Sequence, residues 1–191
     1  MPHLFEPARA MRRPPRARLD RRSQRRHDLE IIMMDREWVE KRFSALLPLA
    51  ARWASKQERR ILQDGVPLTS SEIQDAATVG VQQPDKVRLL QVEHVPWPAA
   101  SVLRPAYRAF GFRTDATRGL TLRYGIFIRA DCWRNRDLIA HELVHTAQYE
   151  RLGGIKPFLK TYLTECLTVG YNEAPLECEA VTAIAKLRRL A

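Results

Sequence analysis

One short stretch of predicted helix places the strongest constraint on what this chain can fold into. The sequence His141-Glu-Leu-Val-His145 carries two histidines four residues apart, and such a pair lies on one helix face. Asn135 is a suitable N-cap, Asp137 favours the first turn, and Gly153-Gly154 supplies a stop. The pattern therefore predicts one helix of defined length that presents both imidazoles side by side.

These residue types at this spacing indicate metal-dependent hydrolysis. The ring nitrogens of His141 and His145 can meet one tetrahedral cation, and imidazole suits Zn²⁺. Glu142 projects beside them, where it can hold a water and accept its proton as a general base. The alternative is a surface helix with two solvated histidines. Apolar residues on two sides of this helix argue against it, because they predict burial, and a buried histidine pair without a partner is costly.

A catalytic zinc takes a third protein ligand and leaves its fourth position to water. His94 ends a strand that precedes the motif and is a less suitable candidate. The better candidates are carboxylates downstream, on a helix that can cross behind the first: Glu173, Glu177 and Glu179. Glu177 and Glu179 are two residues apart and face different directions on a helix, so we expect only one of them to reach the metal.

The motif and its downstream segment resemble the gluzincins, zinc metallopeptidases whose third ligand is a glutamate on a later helix. The likeness spans roughly residues 85–190 and is similar to small bacterial zincin-like domains. It is carried by His141-Glu-Leu-Val-His145-Thr-Ala-Gln148 and Pro175-Leu-Glu-Cys-Glu-Ala180. The resemblance implies Glu177 as the third ligand, because Ala180 follows it three residues later.

The chain departs from the gluzincin pattern at Val181, where the family usually has Asp or Asn. That acid commonly steadies a histidine that ligates the metal. The resemblance therefore leaves Glu173 or Glu179 as candidates for the steadying role, or as alternative ligands. Gln148, one turn beyond His145, can brace the site through a hydrogen bond.

The resemblance also suggests how a peptide would bind. Gluzincins pair an extended substrate with an edge strand that precedes the metal-binding helix. Residues 120–129 alternate as one strand, so the substrate contacts implied are Tyr124, Gly125 and Ile126; an ordinary edge strand packed under the helix is the alternative. Tyr171 and Tyr162 are candidates for a hydroxyl that stabilises an oxyanion, and packing in the helical core is the alternative for each.

The rest of the sequence predicts an α+β fold that is mainly helical. Thr69-Ser-Ser-Glu72 is a capping box, Val87–Val95 is rich in strand-forming residues, and a short helix is predicted over 107–112. An amphipathic stripe starts at Asp35 and is interrupted by Pro48. We predict a single domain over 31–191, with a helical part at 31–83 and a metal-binding core at 84–191. The resemblance implies a minimal zincin.

The charge of the chain is concentrated at its N-terminus. Residues 1–30 hold nine arginines and four acidic residues, a net charge of +5, which is half of the +10 of all 191 residues. With four prolines and few large apolar residues, this segment is predicted to be a disordered tail. Its charge allows two functional interpretations, a basic arm that binds nucleic acid or a transit-type signal. The alternatives are a solvated tail, or a segment that precedes a true start at Met33 or Met34.

Composition limits the cellular compartments in which this protein is expected. No apolar run is long enough for a membrane span, and three cysteines fit a reducing compartment, so we expect a cytoplasmic protein. The leading hypothesis is a zinc metallopeptidase acting on a peptide or protein. One alternative is a non-catalytic zincin-like module that acts through a protein partner. The other is a nucleic-acid-associated protein that uses residues 1–30.

Overall fold

The computed structural model describes residues 21–98 and 116–190, together with four positions between them: Ala106, Ala109, Phe110 and Phe112. The predicted mainly helical α+β class is confirmed. The elements are α1 (Arg21–Asp64), β1 (Val66–Pro67), α2 (Ser70–Thr78), β2 (Arg88–Val92), β3 (Gly119–Leu122), β4 (Gly125–Arg129), α3 (Arg136–Leu152), α4 (Ile155–Val169) and α5 (Pro175–Leu190). The helix predicted over 107–112 lies largely outside the described residues.

Helix α1 is longer than the sequence pattern predicts. It begins at Arg21, so the backbone is helical over 21–30, a part of the predicted disordered tail; residues 1–20 lie outside the described part of the chain. The four prolines of the tail all precede Arg21, and the following stretch is rich in residues that tolerate a helix. The helix also continues through Pro48. Leu46, Leu47 and Ala54 are buried on either side of Pro48 and anchor both halves of the helix in the core.

The four strands form one mixed sheet in the order β1-β2-β4-β3, in which only β2 and β4 run parallel. The strand predicted over Val87–Val95 is confirmed for its central residues. The single strand predicted over 120–129 is wrong, because the chain reverses at Arg123-Tyr124 and forms the antiparallel hairpin β3–β4. Arg123 adopts a φ of 63° in this turn.

The sheet lies between two helices. Ile126 and Ile128 point to one face, where they pack with Leu143 of α3. Phe127 points to the other face and packs with Ile61 of α1. Because both faces are covered, β4 is apolar at successive positions, as a fully buried strand requires. Burial of each such side chain contributes about 1.5–3 kcal/mol, and it fixes the position of α3, the helix that carries the HExxH motif.

Helix α2 is attached to the N-terminal end of α3. Its predicted capping box is confirmed: the Glu72 amide donates to the Thr69 hydroxyl, and the Thr69 amide donates to the Glu72 carboxylate. Arg136 forms a two-pronged ion pair with Asp75, with both N–O distances at 2.8 Å. Among the described helices, none combines the length and apolar composition needed to cross a membrane.

Candidate metal centre

Helix α3 begins and ends where its capping residues predict. The Asn135 side chain accepts a hydrogen bond from the Leu138 amide at 3.0 Å. At the other end Gly153 takes a left-handed conformation with φ 90°, and the Gly154 amide donates to the Tyr149 carbonyl. Glycine adopts this φ at no steric cost, which explains why the helix stops here. The helix between these caps carries His141, Glu142 and His145.

Three ligand-type side chains converge on one point. His141 Nε2 lies 3.2 Å from His145 Nε2. Glu177 of α5 presents Oε2 at 3.3 Å from His141 Nε2 and Oε1 at 3.3 Å from His145 Nε2. Within the described part of the chain, these three side chains form a group whose ligand atoms all lie within 4.8 Å of one another.

The spacing of these atoms fits a zinc ion. With zinc bonds of about 2.0–2.1 Å and tetrahedral angles, neighbouring ligand atoms are about 3.3–3.4 Å apart. The three measured separations, 3.2, 3.3 and 3.3 Å, are each close to this value, with a different Glu177 oxygen approaching each histidine. Two imidazoles and one carboxylate are also the donor set that catalytic zinc sites use, so the residues present fit the predicted ion.

The position of Glu177 depends on how α5 begins. Pro175 is the first residue of α5, and the Leu176 amide donates to the Glu165 carboxylate of α4. This start brings Glu177 under α3, where it is 5% exposed. The Tyr162 hydroxyl donates a hydrogen bond to Glu177 Oε1. The carboxylate is therefore held from α4 as well as by the histidines of α3.

The other two candidate carboxylates lie elsewhere. Glu179 faces away from the histidines and forms a two-pronged ion pair with Arg151, at 2.8 and 2.7 Å. Glu173 belongs to a short 3-10 turn, Tyr171–Glu173, and lines the wall of the adjacent pocket. The geometry therefore favours Glu177 over Glu173 and Glu179 as the third ligand.

Gln148 fixes the orientation of His145. Its Nε2 donates to the Leu176 carbonyl at 2.9 Å and to Glu179 Oε2 at 3.1 Å. These acceptors set the amide orientation, so Oε1 faces His145 Nδ1 at 2.8 Å and accepts its hydrogen. With Nδ1 donating to Gln148, Nε2 is the nitrogen that faces Glu177 and His141 and that can ligate a metal once it gives up its proton.

Glu142 is held beside this cluster by β3. The Thr121 hydroxyl lies 2.6 Å from Glu142 Oε2 and 2.9 Å from the Glu142 carbonyl. Gly119 makes room for the carboxylate, because a Cβ at that position would lie 2.4 Å from Glu142 Oε1. The sequence pattern did not identify Thr121 or Gly119, since both act on Glu142 across the β3–α3 contact and neither belongs to a local motif.

His145 and Glu177 shift each other's pKa. Burial alone would lower the pKa of His145, but the hydrogen bond to Glu177 and the charge of that carboxylate raise it to about 9. Burial alone would raise the pKa of Glu177, but the hydrogen bonds from His141 and His145 lower it. Glu177 is therefore ionised at neutral pH. A cation that binds here takes the place of the proton on His145.

The two candidate tyrosines differ in what they contact. Tyr162 is engaged with Glu177, and burial raises its pKa well above the usual range. This contact makes it a support for the carboxylate. Tyr171 is 37% exposed at the rim of the pocket, and burial and the Glu177 charge raise its pKa. Tyr171 is the better placed of the two to meet a substrate.

The substrate strand predicted from the sequence is not at the edge of the sheet. Gly125 and Ile126 belong to β4, whose neighbours β2 and β3 pair with it on both sides, and Tyr124 is a buried turn residue. The hairpin turn explains the error, because it makes β3 the edge strand. The Arg129 amide donates to the Arg118 carbonyl. By antiparallel alternation, the backbone groups of Gly119 and Thr121 then point away from β4.

That edge of β3 borders a pocket of about 650 Å³. One end of the pocket reaches His141, Glu142, His145 and Glu177. Its other walls come from α1, β3 and α4 and from the 3-10 turn that precedes α5. The Tyr149 hydroxyl reaches the Thr121 carbonyl at 3.3 Å and ties α3 to β3 at the pocket wall. The candidate metal cluster is therefore accessible from a cavity of a size that suits a ligand.

A scan against protein-family models and searches of curated proteins and of solved structures give no match to this chain. The likeness to gluzincins stays a resemblance of motif and spacing. The geometry of the site adds to it the approach of Glu177 to both histidines.

Proposed function

We propose that this protein is a zinc-dependent hydrolase that cleaves peptide bonds. One observation carries the proposal: both His141 and His145 lie 3.3 Å from the Glu177 carboxylate and 3.2 Å from each other, with the Glu142 carboxylate alongside, at one end of a pocket. A purely structural zinc site closes its shell with four protein ligands. The group found among the described residues has three, which favours a position left for water or substrate.

In this proposal, metal binding and proton transfer are carried out by different residues. His141, His145 and Glu177 would hold the zinc, which when bound supplies Lewis acidity and lowers the pKa of a water. Glu142 acts as the general base. Thr121 occupies its Oε2, which leaves Oε1 as the oxygen that accepts a proton.

The walls of the pocket supply the remaining roles. A peptide can pair with the outward backbone groups of Gly119 and Thr121 on β3, which takes the place of the strand predicted from sequence. Tyr171 at the rim is the candidate hydroxyl for stabilising the oxyanion that forms as the carbonyl is attacked.

In this fold another residue can take the role of the Asp or Asn that gluzincins usually have at the position of Val181. Val181 is 62% exposed and lies on the outside of α5. Gln148 accepts the hydrogen bond of the ligand histidine, and Gln148 in turn donates to Glu179. This replacement supports a competent site over a non-catalytic module.

The test is zinc content and peptide hydrolysis of Glu142→Gln. Glutamine keeps the size of the side chain and removes the base, so we expect the variant to bind one zinc and to lose about 10²–10⁴-fold in kcat. Glu93→Gln, the same change at an exposed position, is the matched control and should retain full activity. Wild-type protein that binds no zinc, or a Glu142→Gln variant with unchanged turnover, would refute the proposal.

A further inference from the structure

We propose that the site selects a peptide carrying a bulky apolar side chain next to the bond that is cut. This inference rests on the proposed function for its chemistry and on the walls of the pocket for its selectivity. It assigns a substrate class: neutral, apolar peptide segments, as opposed to acidic peptides, phosphoesters or nucleic acid.

The pocket wall nearest the metal cluster is aromatic. Phe158 of α4 packs edge-on against His145, with ring centroids 6.2 Å apart, and it stacks on Tyr149 at 3.7 Å. Tyr162 continues this stack at 5.3 Å from Phe158. Edge and face contacts of this kind also bind an apolar or aromatic guest. The first surface that a substrate side chain meets beside the ligands is therefore apolar.

Helix α1 supplies the opposite wall and the space. Ala50 and Ala54 lie one turn apart on α1, so both face the pocket, with Trp53 beside them. Two methyl side chains at these positions leave the cavity open between α1 and α4. The resulting volume of about 650 Å³ falls within the range of about 300–1,000 Å³ typical of pockets that bury a ligand.

Apart from the metal site, the described charges around the pocket do not favour an anionic side chain. Of the described residues that line it, the charged ones are Glu142, Glu173 and Glu177, and none is Lys or Arg. The whole chain holds 32 Lys and Arg, and none of them is among the described residues of these walls. Away from the metal site, a phosphate or an acidic side chain would meet carboxylates with no described Lys or Arg beside it, whereas an apolar side chain gains from burial.

Strand β3 connects this selectivity to the scissile bond. It borders the pocket over Gly119–Leu122 and lies against Glu142 through Thr121. Side chains of an extended peptide alternate in direction. A peptide paired with the β3 edge therefore directs one side chain into the pocket while its backbone passes the metal cluster.

The experiment measures binding apart from cleavage. Fluorescein-labelled peptides of the form Gly-Gly-Gly-X-Gly-Gly-Gly, with X as Phe, Leu, Ala, Asp or Lys, are titrated by anisotropy against the zinc-loaded Glu142→Gln variant. We expect the Phe and Leu peptides to bind at least tenfold more tightly than the Ala and Asp peptides. The wild type is incubated with the same peptides and the products are read by mass spectrometry.

Three substitutions test whether the apolar side chain binds in this pocket. Ala50→Phe fills the pocket and should remove the preference for Phe, whereas Leu49→Phe adds a ring at the neighbouring position, which is 47% exposed, and should leave it unchanged. Val169→Lys adds a cation at a lining position that is 50% exposed, where folding tolerates it, and should improve binding of the Asp peptide relative to Phe. Zinc stoichiometry and thermal unfolding establish that each variant is folded.

The outcomes separate the two proposals. Preferential binding of Phe and Leu peptides without cleavage would support the pocket assignment and contradict the hydrolase function. Equal binding across the series, tighter binding of the Asp peptide, or no binding of any member would overturn the substrate class, even if cleavage is observed.

Discussion

At the residue scale, the side chains that the sequence could identify are those that share one helix. The spacing of His141, Glu142 and His145 is local, so their juxtaposition follows from helical geometry alone. Glu177 needed a family resemblance, because its approach depends on how α5 crosses α3. Thr121 and Gly119 gave no sequence signal, since their only link to Glu142 is a strand packed against a helix.

The role of Gln148 can be measured through metal affinity. Gln148→Ala removes the acceptor for His145 Nδ1 and the link to Glu179, so the imidazole is no longer held in the ligating orientation. Loss of such a support typically costs about 10–100-fold in metal affinity. Competition with a chromogenic chelator measures the change. Gln74→Ala, at an exposed position on α2, is the control; an unchanged zinc affinity in Gln148→Ala would exclude the positioning role.

Gly119 offers a substitution that acts directly on the position of Glu142. In Gly119→Ala the new methyl group would lie 2.4 Å from Glu142 Oε1, so the carboxylate must shift from its position. We expect hydrolysis to fall at least about tenfold, as a small displacement of a catalytic group can cause, while the zinc stoichiometry stays at one. Steady-state kinetics and metal analysis of the same sample check both parts. Full activity of the Gly119→Ala variant would show that the position of Glu142 is not restrained by β3.

At the element scale, the hairpin β3–β4 is where sequence reasoning failed, for a physical reason. The alternation of residues 120–129 continues through Arg123-Tyr124 without the Gly, Asn or Asp that usually marks a two-residue turn. Arg123 takes the positive φ that such a turn needs, and a hydrogen bond from the Thr146 hydroxyl to the Arg123 carbonyl holds it there. The turn is set by packing against α3, which a local pattern does not encode.

Substitution of Ile126 tests whether β4 is a buried interior strand or the strand that binds substrate. Ile126 is fully buried between β4 and α3, so Ile126→Ala should destabilise the protein by about 2–5 kcal/mol and leave the KM for a peptide unchanged. Chemical denaturation and kinetics provide the two readouts. Leu62→Ala, at a position 39% exposed on α1, should cost far less stability. A raised KM with unchanged stability would instead support the substrate strand predicted from the sequence.

At the scale of the whole molecule, the class of the fold was predictable and its arrangement was not. Helical periodicity and capping residues give the helices, because both are local signals. The sheet order depends on the parallel pairing of β2 with β4, in which Arg88 lies opposite Gly125. This pairing joins segments that are far apart in sequence and leaves no pattern in either of them. The pocket depends in turn on that arrangement, since α1, β3 and α4 form its walls.

The crossing of α3 and α5 has a consequence for how the molecule responds to its surroundings. His145 and Glu177 are 32 positions apart in the sequence. An ion held by both would act as a reversible cross-link between α3 and α5. An ion that binds only the folded chain stabilises it by about 1.4 kcal/mol for each tenfold rise in its free concentration above Kd. Calorimetry in buffered zinc should show a melting temperature that rises steadily with the logarithm of free zinc and a Glu177→Gln variant that does not respond. The heat tolerance of this protein would then act as a gauge of zinc supply.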